Sequence, residues 1–249
     1  KKYFKWGAIN KQNYKKMKLL VLTTKTQHHD FFNNNIHKKY PNLDVIYEEK
    51  KPKFSFEINN KSIKLRDKHE KIYFKNKYYK NNIKKHYVKS INSNKCFRLI
   101  KKINPRIIIV FGTSILKNKT ISLCKNSYLI NLHGGNPNYY RGLDSHFWSL
   151  YHKDFKNIVT TLHFIDRGID TGNIIEMAKI SLNNKVNFNN LRIKNVENCI
   201  KLTINFCNKV NKKLKIQSKK QKVKGRYYSA FPSIFINIIM TNLKVYLSK

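Results

Sequence analysis

Short apolar runs alternate with Lys- and Asn-rich polar stretches along this chain. Many of the apolar residues are β-branched, and compact runs of this kind are typical of strands covered on both faces of a sheet. The runs that predict strands span residues 18–24, 43–47, 106–112, 127–133, 158–165 and 173–180. Pro105 and Gly112 bracket the clearest of them, Arg106-Ile-Ile-Ile-Val-Phe.

In the segments between and after these runs, the pattern of apolar residues favours helices. Predicted helices span residues 27–39, 114–125, 145–151, 188–214 and the apolar tail 233–247. Residues 50–95 are weakly periodic, which predicts a loop and one or more exposed helices. Strands alternating with helices predict an α/β fold with a mostly parallel, twisted sheet flanked by helices.

The same pattern suggests three parts of the chain. Residues 1–16 form a basic leader, residues 17–182 the α/β domain, and residues 183–249 a C-terminal helical extension.

Charge adds one alternative to this picture. The 249 residues include 52 Lys and Arg against 13 Asp and Glu, a formal net charge of +39. Such an excess is typical of proteins that bind nucleic acid or anionic membranes. However, only 7 of the 52 basic residues are Arg, and Asn occurs 33 times, a profile that A/T-rich codons alone can produce. We therefore expect most of this charge to lie on solvated faces.

Apolar content and cysteines indicate the compartment. No uninterrupted apolar stretch approaches the roughly 20 residues of a membrane span, and the polar start lacks the apolar core of a signal peptide. The four cysteines form no CxxC pair and no dense disulfide framework. These features predict a cytoplasmic protein with free thiols and no membrane span.

Glycine and histidine point to the functional region. Five of the eight glycines fall between residues 134 and 172, in a stretch whose net charge is near zero. Asn131 and His133 lie two apart on a predicted strand, so they share a face beside Gly134 and Gly135. An amide donor beside an imidazole suits chemistry in which a carbonyl oxygen gains charge and a proton moves.

A second segment, His163-Phe-Ile-Asp-Arg-Gly-Ile-Asp-Thr-Gly172, places acidic residues on a tight loop after a strand. A carboxylate on this loop could hold a water or orient an imidazole. We expect His163 to pack and form hydrogen bonds rather than react. His28-His29-Asp30 resembles a metal or catalytic cluster only superficially, and the acid and imidazole residues show no metal-binding spacing on one element.

The two segments together resemble the folate-dependent formyltransferases, which include the glycinamide-ribonucleotide and methionyl-tRNA formyltransferases. The resemblance covers roughly residues 17–182 and is carried by NLHGG, the following NPNYYRG, and HFIDRGIDTGNII, with FGTSIL upstream. The segment after His133 departs from the family's Pro-Ser-Leu-Leu-Pro, which suggests a divergent branch. About 67 residues follow Leu182, fewer than methionyl-tRNA formyltransferases carry there.

The resemblance implies a Rossmann-like formyltransferase fold and an N-formyltransferase activity. It implies 10-formyltetrahydrofolate as donor and a small amine as acceptor, with a sugar-nucleotide amine as one option. Asn131 and His133 would then stabilise the oxyanion and move the proton, and Asp170 would support His133. No metal is implied.

The resemblance also implies further contacts. Ser114 and Leu116 would flank the folate, and the loop with Arg167, Gly168 and Ile169 would close over it. Independently of the resemblance, Arg141 is our candidate, with Gly134 and Gly135, for contacting the acceptor, because a guanidinium matches a carboxylate or phosphate. The alternative is that Arg141 forms an ordinary structural ion pair. The alternative function is a basic nucleic-acid or anionic-membrane binding protein that retains the fold without catalysis. We expect no requirement for nucleic acid, and a homodimer stays open.

Overall fold

Seven strands of the described residues form one sheet in the computed structural model, which describes residues 17–49, 61–76, 81–183 and 186–248. The predicted basic leader, residues 1–16, lies outside the described residues. The strands are β1 (Leu19–Thr24), β2 (Leu43–Glu48), β3 (Lys84–Val88), β4 (Ile107–Phe111), β5 (Tyr128–His133), β7 (Val159–Phe164) and β8 (Ile174–Lys179). Two short strands, β6 (Tyr140–Gly142) and β9 (Arg226–Tyr228), pair separately.

Helices cover the sheet and extend beyond it. They are α1 (Gln27–Lys39), α2 (Lys61–Asn76), α3 (Asn94–Ile103), α4 (Asn118–Leu123), α5 (Ser145–Tyr151), α6 (Leu191–Asn211) and α7 (Ile236–Leu247). Within the described ranges, no helix is both long and apolar enough to cross a bilayer.

The sheet is mostly parallel. Its strand order is β3-β2-β1-β4-β5-β7-β8, and the first five strands of that order run parallel to one another. β7 runs antiparallel to β5, and β8 antiparallel to β7. The predicted α/β architecture, a mostly parallel sheet flanked by helices with helices after it, is therefore confirmed.

Alternation along the central strands divides the core between the two faces of the sheet. Leu19 and Val21 pack with α1 and α6, whereas Leu20 and Leu22 pack with α3. Both faces of β1 are therefore apolar and buried, which explains why its sequence is a continuous apolar run.

The region 50–95 was only partly anticipated. Its described part contains the helix α2 and also β3, which the sequence analysis missed. β3 is an edge strand with the sequence KKHYV and mostly exposed side chains, so it lacks an apolar run. Exposed lysines on an edge strand discourage pairing with another chain. The helix α3 was also missed.

The chain returns to the domain after α6. Residues 219–231, which we call the C-terminal strap, include β9, and β9 pairs in parallel with β6. α7 then packs against α5. Helices in the C-terminal extension are confirmed, but the strand pairing was not predicted because three-residue strands leave no periodic signal.

Candidate active site

Asn131 and His133 lie at the C-terminal end of β5, two residues apart on the same strand, as the sequence predicted. β5 ends at His133, and Asn131 is paired in register with His163 of the antiparallel strand β7. His133 is 6% exposed. Ser145, at the start of α5, packs against it, with its Oγ 3.4 Å from His133 Nε2.

The loop between β7 and β8 brings Asp170 to this pair. One carboxylate oxygen, Oδ2, lies 3.5 Å from His133 Nδ1 and accepts a hydrogen bond of 2.8 Å from the Gly142 amide. The other, Oδ1, lies 3.4 Å from His163 Nε2 and accepts a bond of 3.1 Å from Asn131 Nδ2. Four groups from three parts of the chain thus converge on one carboxylate.

The charge of Asp170 is stabilised by these neighbours. Burial alone would raise the pKa of its carboxyl, but the nearby His133, the contact with His163 and the Gly142 amide hold that pKa well below its usual range. Asp170 is therefore ionised at neutral pH and can stabilise a positive charge on an adjacent imidazole.

Hydrogen bonds define the proton positions on both imidazoles. His163 Nδ1 donates to the Phe164 carbonyl at 2.7 Å, and its Nε2 lies 3.1 Å from Asn131 Nδ2 and 3.4 Å from Asp170 Oδ1. His133 Nε2 donates to the Tyr140 carbonyl at 2.8 Å, which leaves Nδ1 facing Asp170. A proton taken up at His133 Nδ1 would meet the Asp170 carboxylate directly.

Both contacts of the Asn131 amide nitrogen are with protein groups, Asp170 and His163. A donor role toward a substrate oxygen therefore requires Asn131 to exchange one of these bonds. His163 packs and forms hydrogen bonds as expected: it is 2% exposed and contacts Asn131 and the Phe164 carbonyl. Its position opposite Asn131 depends on the antiparallel β5–β7 register, which the sequence did not specify.

A cleft of about 180 Å³ opens beside His133. Its walls combine the backbone of Gly134 and Gly142 with Asp144 and Ser145 at the start of α5. Further residues that line it are Arg66, His146, Phe147, Phe188, Leu191, Arg192 and Asn195. The cleft therefore presents charged and aromatic groups next to the imidazole.

Two arginines at this cleft are held by acidic partners. Arg192 lies 2.6 Å from Glu70 and 2.8 Å from Asp67, and Arg66 lies 2.8 Å from Asp67. The Arg66 guanidinium also lies over the rings of Phe147 and Phe188. These contacts fix α2 to α6 along one wall of the cleft.

The predicted folate contacts lie on two other loops. Ser114 bonds through its amide and its hydroxyl to the buried carboxylate of Glu48, at 2.7 and 2.6 Å. Leu116 packs against the core beneath the sheet, and the preceding Ile115 is 62% exposed. Glu48 was not singled out because its partner is 66 residues away in sequence. The helix predicted over 114–125 is shorter in the structure, where α4 spans Asn118–Leu123 and Ser114 lies on the loop before it.

The loop after β7 is closed by a turn around Asp166. Its carboxylate accepts bonds from the Gly168 amide and the Thr171 hydroxyl. Arg167 and Gly168 are exposed, and Ile169 is half-buried. A role for these three residues in donor binding stays a prediction.

The predicted acceptor contacts are placed differently. Gly134 lines the cleft, and Gly135 lies against Ser145, where an added Cβ would approach the Ser145 Cβ to 2.6 Å. Arg141 is buried, with its Nε 3.4 Å from the Pro137 carbonyl. It is not among the described residues that line the cleft, and its contact with an acceptor stays a prediction.

His28 and His29 have neighbours typical of the core. His29 Nδ1 donates to the Thr24 carbonyl at 2.9 Å, its ring lies on Phe111, and burial lowers its pKa to about 4. Across residues 17–49, 61–76, 81–183 and 186–248, no three His, Cys, Asp or Glu side chains are grouped to hold a metal.

Comparisons with known proteins address the fold. A methionyl-tRNA formyltransferase from Finegoldia magna is 30% identical over 107 residues, 43% of this chain and 34% of that relative's length. A 4-N formyltransferase from Francisella tularensis superposes with a TM-score of 0.55 at 20% identity, over 86% of this chain and 76% of its own. No protein-family model matches.

A further solved structure is the N-formyltransferase from Helicobacter canadensis, in complex with folinic acid and dTDP-3-aminofucose. It has a TM-score of 0.56 at 20% identity, over 86% of this chain and 71% of its own. This chain has the formyltransferase fold. The resemblance to folate-dependent formyltransferases is thus confirmed by a sequence match of 30% identity over 107 residues and by the fold.

Proposed function

We propose that this chain transfers a formyl group from 10-formyltetrahydrofolate to the amine of a small acceptor. One observation carries the proposal: Asn131, His133 and Asp170 converge within hydrogen-bonding or ion-pair distance at the edge of a cleft. The amide can stabilise negative charge on a formyl oxygen, and the imidazole, next to an ionised carboxylate, can take a proton from an attacking amine.

His133 is the proton acceptor in this proposal. The amine nitrogen bonds to the formyl carbon while His133 takes up its proton, and the Asp170 carboxylate, 3.5 Å from His133 Nδ1, stabilises the resulting imidazolium. The bond between the formyl carbon and the folate nitrogen then breaks, and His133 gives the proton to that nitrogen as tetrahydrofolate leaves. Asn131 turns one N–H from His163 or Asp170 toward the formyl oxygen as negative charge develops there. Removing one such donor typically lowers the rate about a hundredfold or more.

The acceptor occupies the cleft beside His133, and we infer that it is a sugar-nucleotide amine. Two structural neighbours are a 4-N formyltransferase and an N-formyltransferase bound to dTDP-3-aminofucose, which supports this class. The cleft offers stacked Phe147 and Phe188 rings for apolar contact. Its two guanidinium groups, Arg66 and Arg192, are paired with Asp67 and Glu70, so an anion binds them by displacing one of these carboxylates. Arg141 is the further anion contact that the sequence suggests.

In this proposal the folate donor binds between two loops, the one after β4 and the one after β7. Ser114 and Leu116 flank it, and the loop of Arg167, Gly168 and Ile169 covers it. The neighbour from Helicobacter canadensis was solved with folinic acid, which supports a folate donor. The exposed Ile115 side chain provides apolar surface for a ring system on that side.

A coupled assay tests the proposal. The purified chain is incubated with 10-formyltetrahydrofolate and a panel of amino-sugar nucleotides, free amino sugars and glycinamide ribonucleotide. Tetrahydrofolate release is followed by absorbance, and the formylated product by mass spectrometry. We expect turnover with at least one amino-sugar nucleotide. Turnover confined to glycinamide ribonucleotide would reject the acceptor class, and no turnover with any amine would reject the activity.

A further inference from the structure

The C-terminal strap lies directly against the loops that carry the candidate active site. Lys219 and Ile174 exchange two backbone hydrogen bonds of 2.8 Å at the start of β8. Further along, the Lys222 amide donates to the Asn138 side chain at 2.9 Å, and the Phe231 amide donates to the Asp144 carboxylate at 2.9 Å. The strap therefore connects three loops that surround His133.

Gln221 makes the central contact of the strap. Its side-chain Nε2 donates to the backbone carbonyls of Asp170 at 2.7 Å and of Gly172 at 2.9 Å. Both carbonyls are acceptors, so only a donor group can satisfy them from this position. The amide of Gln221 thus clamps the backbone on both sides of Thr171.

The clamped residue has an unusual backbone. Asp170 has φ = 52°, in the left-handed region that residues with a side chain adopt infrequently. A residue in such a conformation keeps it only when surrounding contacts enforce it. The hydrogen bond from Gln221 to the Asp170 carbonyl is one such contact, and the bonds from Gly142 and Asn131 to its carboxylate are others.

The strap reaches Asp170 by a second route as well. Gly142 belongs to β6, which pairs with β9 of the strap, and the Leu143 amide donates to the Tyr228 carbonyl at 3.0 Å. β6 also carries the Tyr140 carbonyl that accepts from His133. The backbone groups that orient His133 and Asp170 are therefore both supported from the strap.

We propose that Gln221 is a positioning residue for formyl transfer: its side-chain amide holds the Asp170 backbone so that the carboxylate stays between His133 and His163. The inference rests on the proposed function, because positioning is measured through transfer. The hydrogen bonds from Gln221 should also limit the motion of the loop 166–172, and this can be measured without formyl transfer.

The test compares Gln221→Met with Gln217→Met. Both substitutions replace Gln by a side chain of similar length that has no hydrogen-bond donor. Gln217 is exposed and lies, like Gln221, in the segment between α6 and β9. We expect Gln221→Met to lower kcat about tenfold to a hundredfold, as small misplacements of reacting groups do, with the KM for the amine within about twofold. Gln217→Met should leave both constants unchanged.

Hydrogen exchange provides the second readout. The amides of residues 166–172 should exchange at least about tenfold faster in Gln221→Met than in Gln217→Met, measured by mass spectrometry on the folded proteins. Gln221→Glu, which keeps the shape but cannot donate when ionised, should behave like Gln221→Met and covers the case in which Met perturbs folding.

Three outcomes would overturn the proposal: an unchanged kcat in both Gln221 variants, a loss that appears mainly in KM, or unchanged exchange of the loop. If the wild-type chain transfers no formyl group, the proposed function fails, and the exchange comparison alone decides whether Gln221 holds the loop.

Discussion

The Asp170 carboxylate contacts four groups at once, so the geometry of the site depends on it more than on any other residue named here. Its carboxylate lies 3.5 Å from His133 and 3.4 Å from His163, and it accepts bonds from Asn131 and Gly142. All four neighbours present or can present a proton to it. An ionised carboxylate is the one side-chain group that satisfies such a set.

Replacing Asp170 with Asn should therefore disturb both charge and hydrogen bonding. The new NH₂ group would face the donors from Asn131 or Gly142, and the imidazolium of His133 would lose its counter-charge. We expect kcat to fall about a hundredfold or more, with the fold retained in circular dichroism. A variant with at least half of the wild-type kcat would show that the carboxylate is not needed for transfer.

His133 is buried, so its replacement needs a side chain that limits the cavity. His133→Asn should lower transfer about a hundredfold to ten-thousandfold, the usual contribution of a general base, and should leave folate binding measurable by fluorescence titration. His152→Asn, a change at an imidazole that bonds only the Tyr228 hydroxyl among the described contacts, is the matched control. Equal activities for the two variants would contradict the role of His133.

At the scale of elements, the loop between β7 and β8 depends on Gly172. A Cβ added there would lie 1.8 Å from the Phe164 carbonyl oxygen, which belongs to the backbone of β7 and cannot rotate away. The loop must therefore shift if Gly172 carries a side chain, and Asp170 must shift with it.

Gly172→Ala should consequently destabilise the protein by about 1–3 kcal/mol and abolish most transfer, as overpacking against backbone does. Gly168→Ala is the control for stability. Its Cβ would meet the side chain of Thr171, which can change rotamer, so we expect a smaller change. Urea denaturation measures both. Equal free energies of unfolding for the two variants would mean that the backbone contact is relieved without cost.

The sequence predicted the central elements well because their burial is continuous. β1, β4 and β5 are apolar runs, and the NxH spacing on β5 placed Asn131 and His133 on one face. Gly168 and Gly172 indicated the tight loop that carries Asp166 and Asp170. These features are local, so spacing along the chain is sufficient to reveal them.

Other elements depend on contacts between distant segments. β3 is an exposed edge strand without apolar alternation, and β6 and β9 exist only because each pairs with the other across the chain. Glu48 and Gln221 become informative only when folding brings them to Ser114 and Asp170. No periodicity in the sequence encodes such pairs.

For the whole molecule, buried histidines make stability depend on pH. Burial is the main cause that lowers the pKa of His29 and of His146 to about 4 in the folded chain. The unfolded value is about 6.5. Because the folded pKa is the lower one, their contribution to stability is fully present above about pH 6.5 and is lost as the pH falls toward 4.

Between pH 7 and pH 5 each of these histidines should lower the free energy of unfolding by about 2 kcal/mol. His146→Gln should reduce the difference between the two pH values by about that amount, even though it also lowers stability at pH 7 because a bond to the Val159 carbonyl changes. Urea denaturation at both pH values measures this. An undiminished pH difference in the variant would show that His146 is not the titrating group.

The net charge of +39 is the other property of the whole molecule. The stretch from Tyr128 to Glu176, which contains the site, holds four basic and five acidic residues, so the excess lies elsewhere. Several lysines beyond α6 are exposed: Lys212, Lys215, Lys220 and Lys224. Lys209 differs from them because it pairs with Glu176 at 3.3 Å.

Replacing Lys212, Lys215, Lys220 and Lys224 together with Gln should leave kcat and the KM for a small amine within about twofold of wild type. The backbone bonds of the strap are unaffected by these side chains. All four side chains are exposed, so their charges are screened by solvent and by salt, with a Debye length of about 10 Å in 0.1 M salt. KM measured from 0.05 to about 0.3 M salt should change only mildly. A steep linear fall of log affinity with log salt, abolished in the fourfold variant, would instead identify a polyanionic substrate held by these lysines.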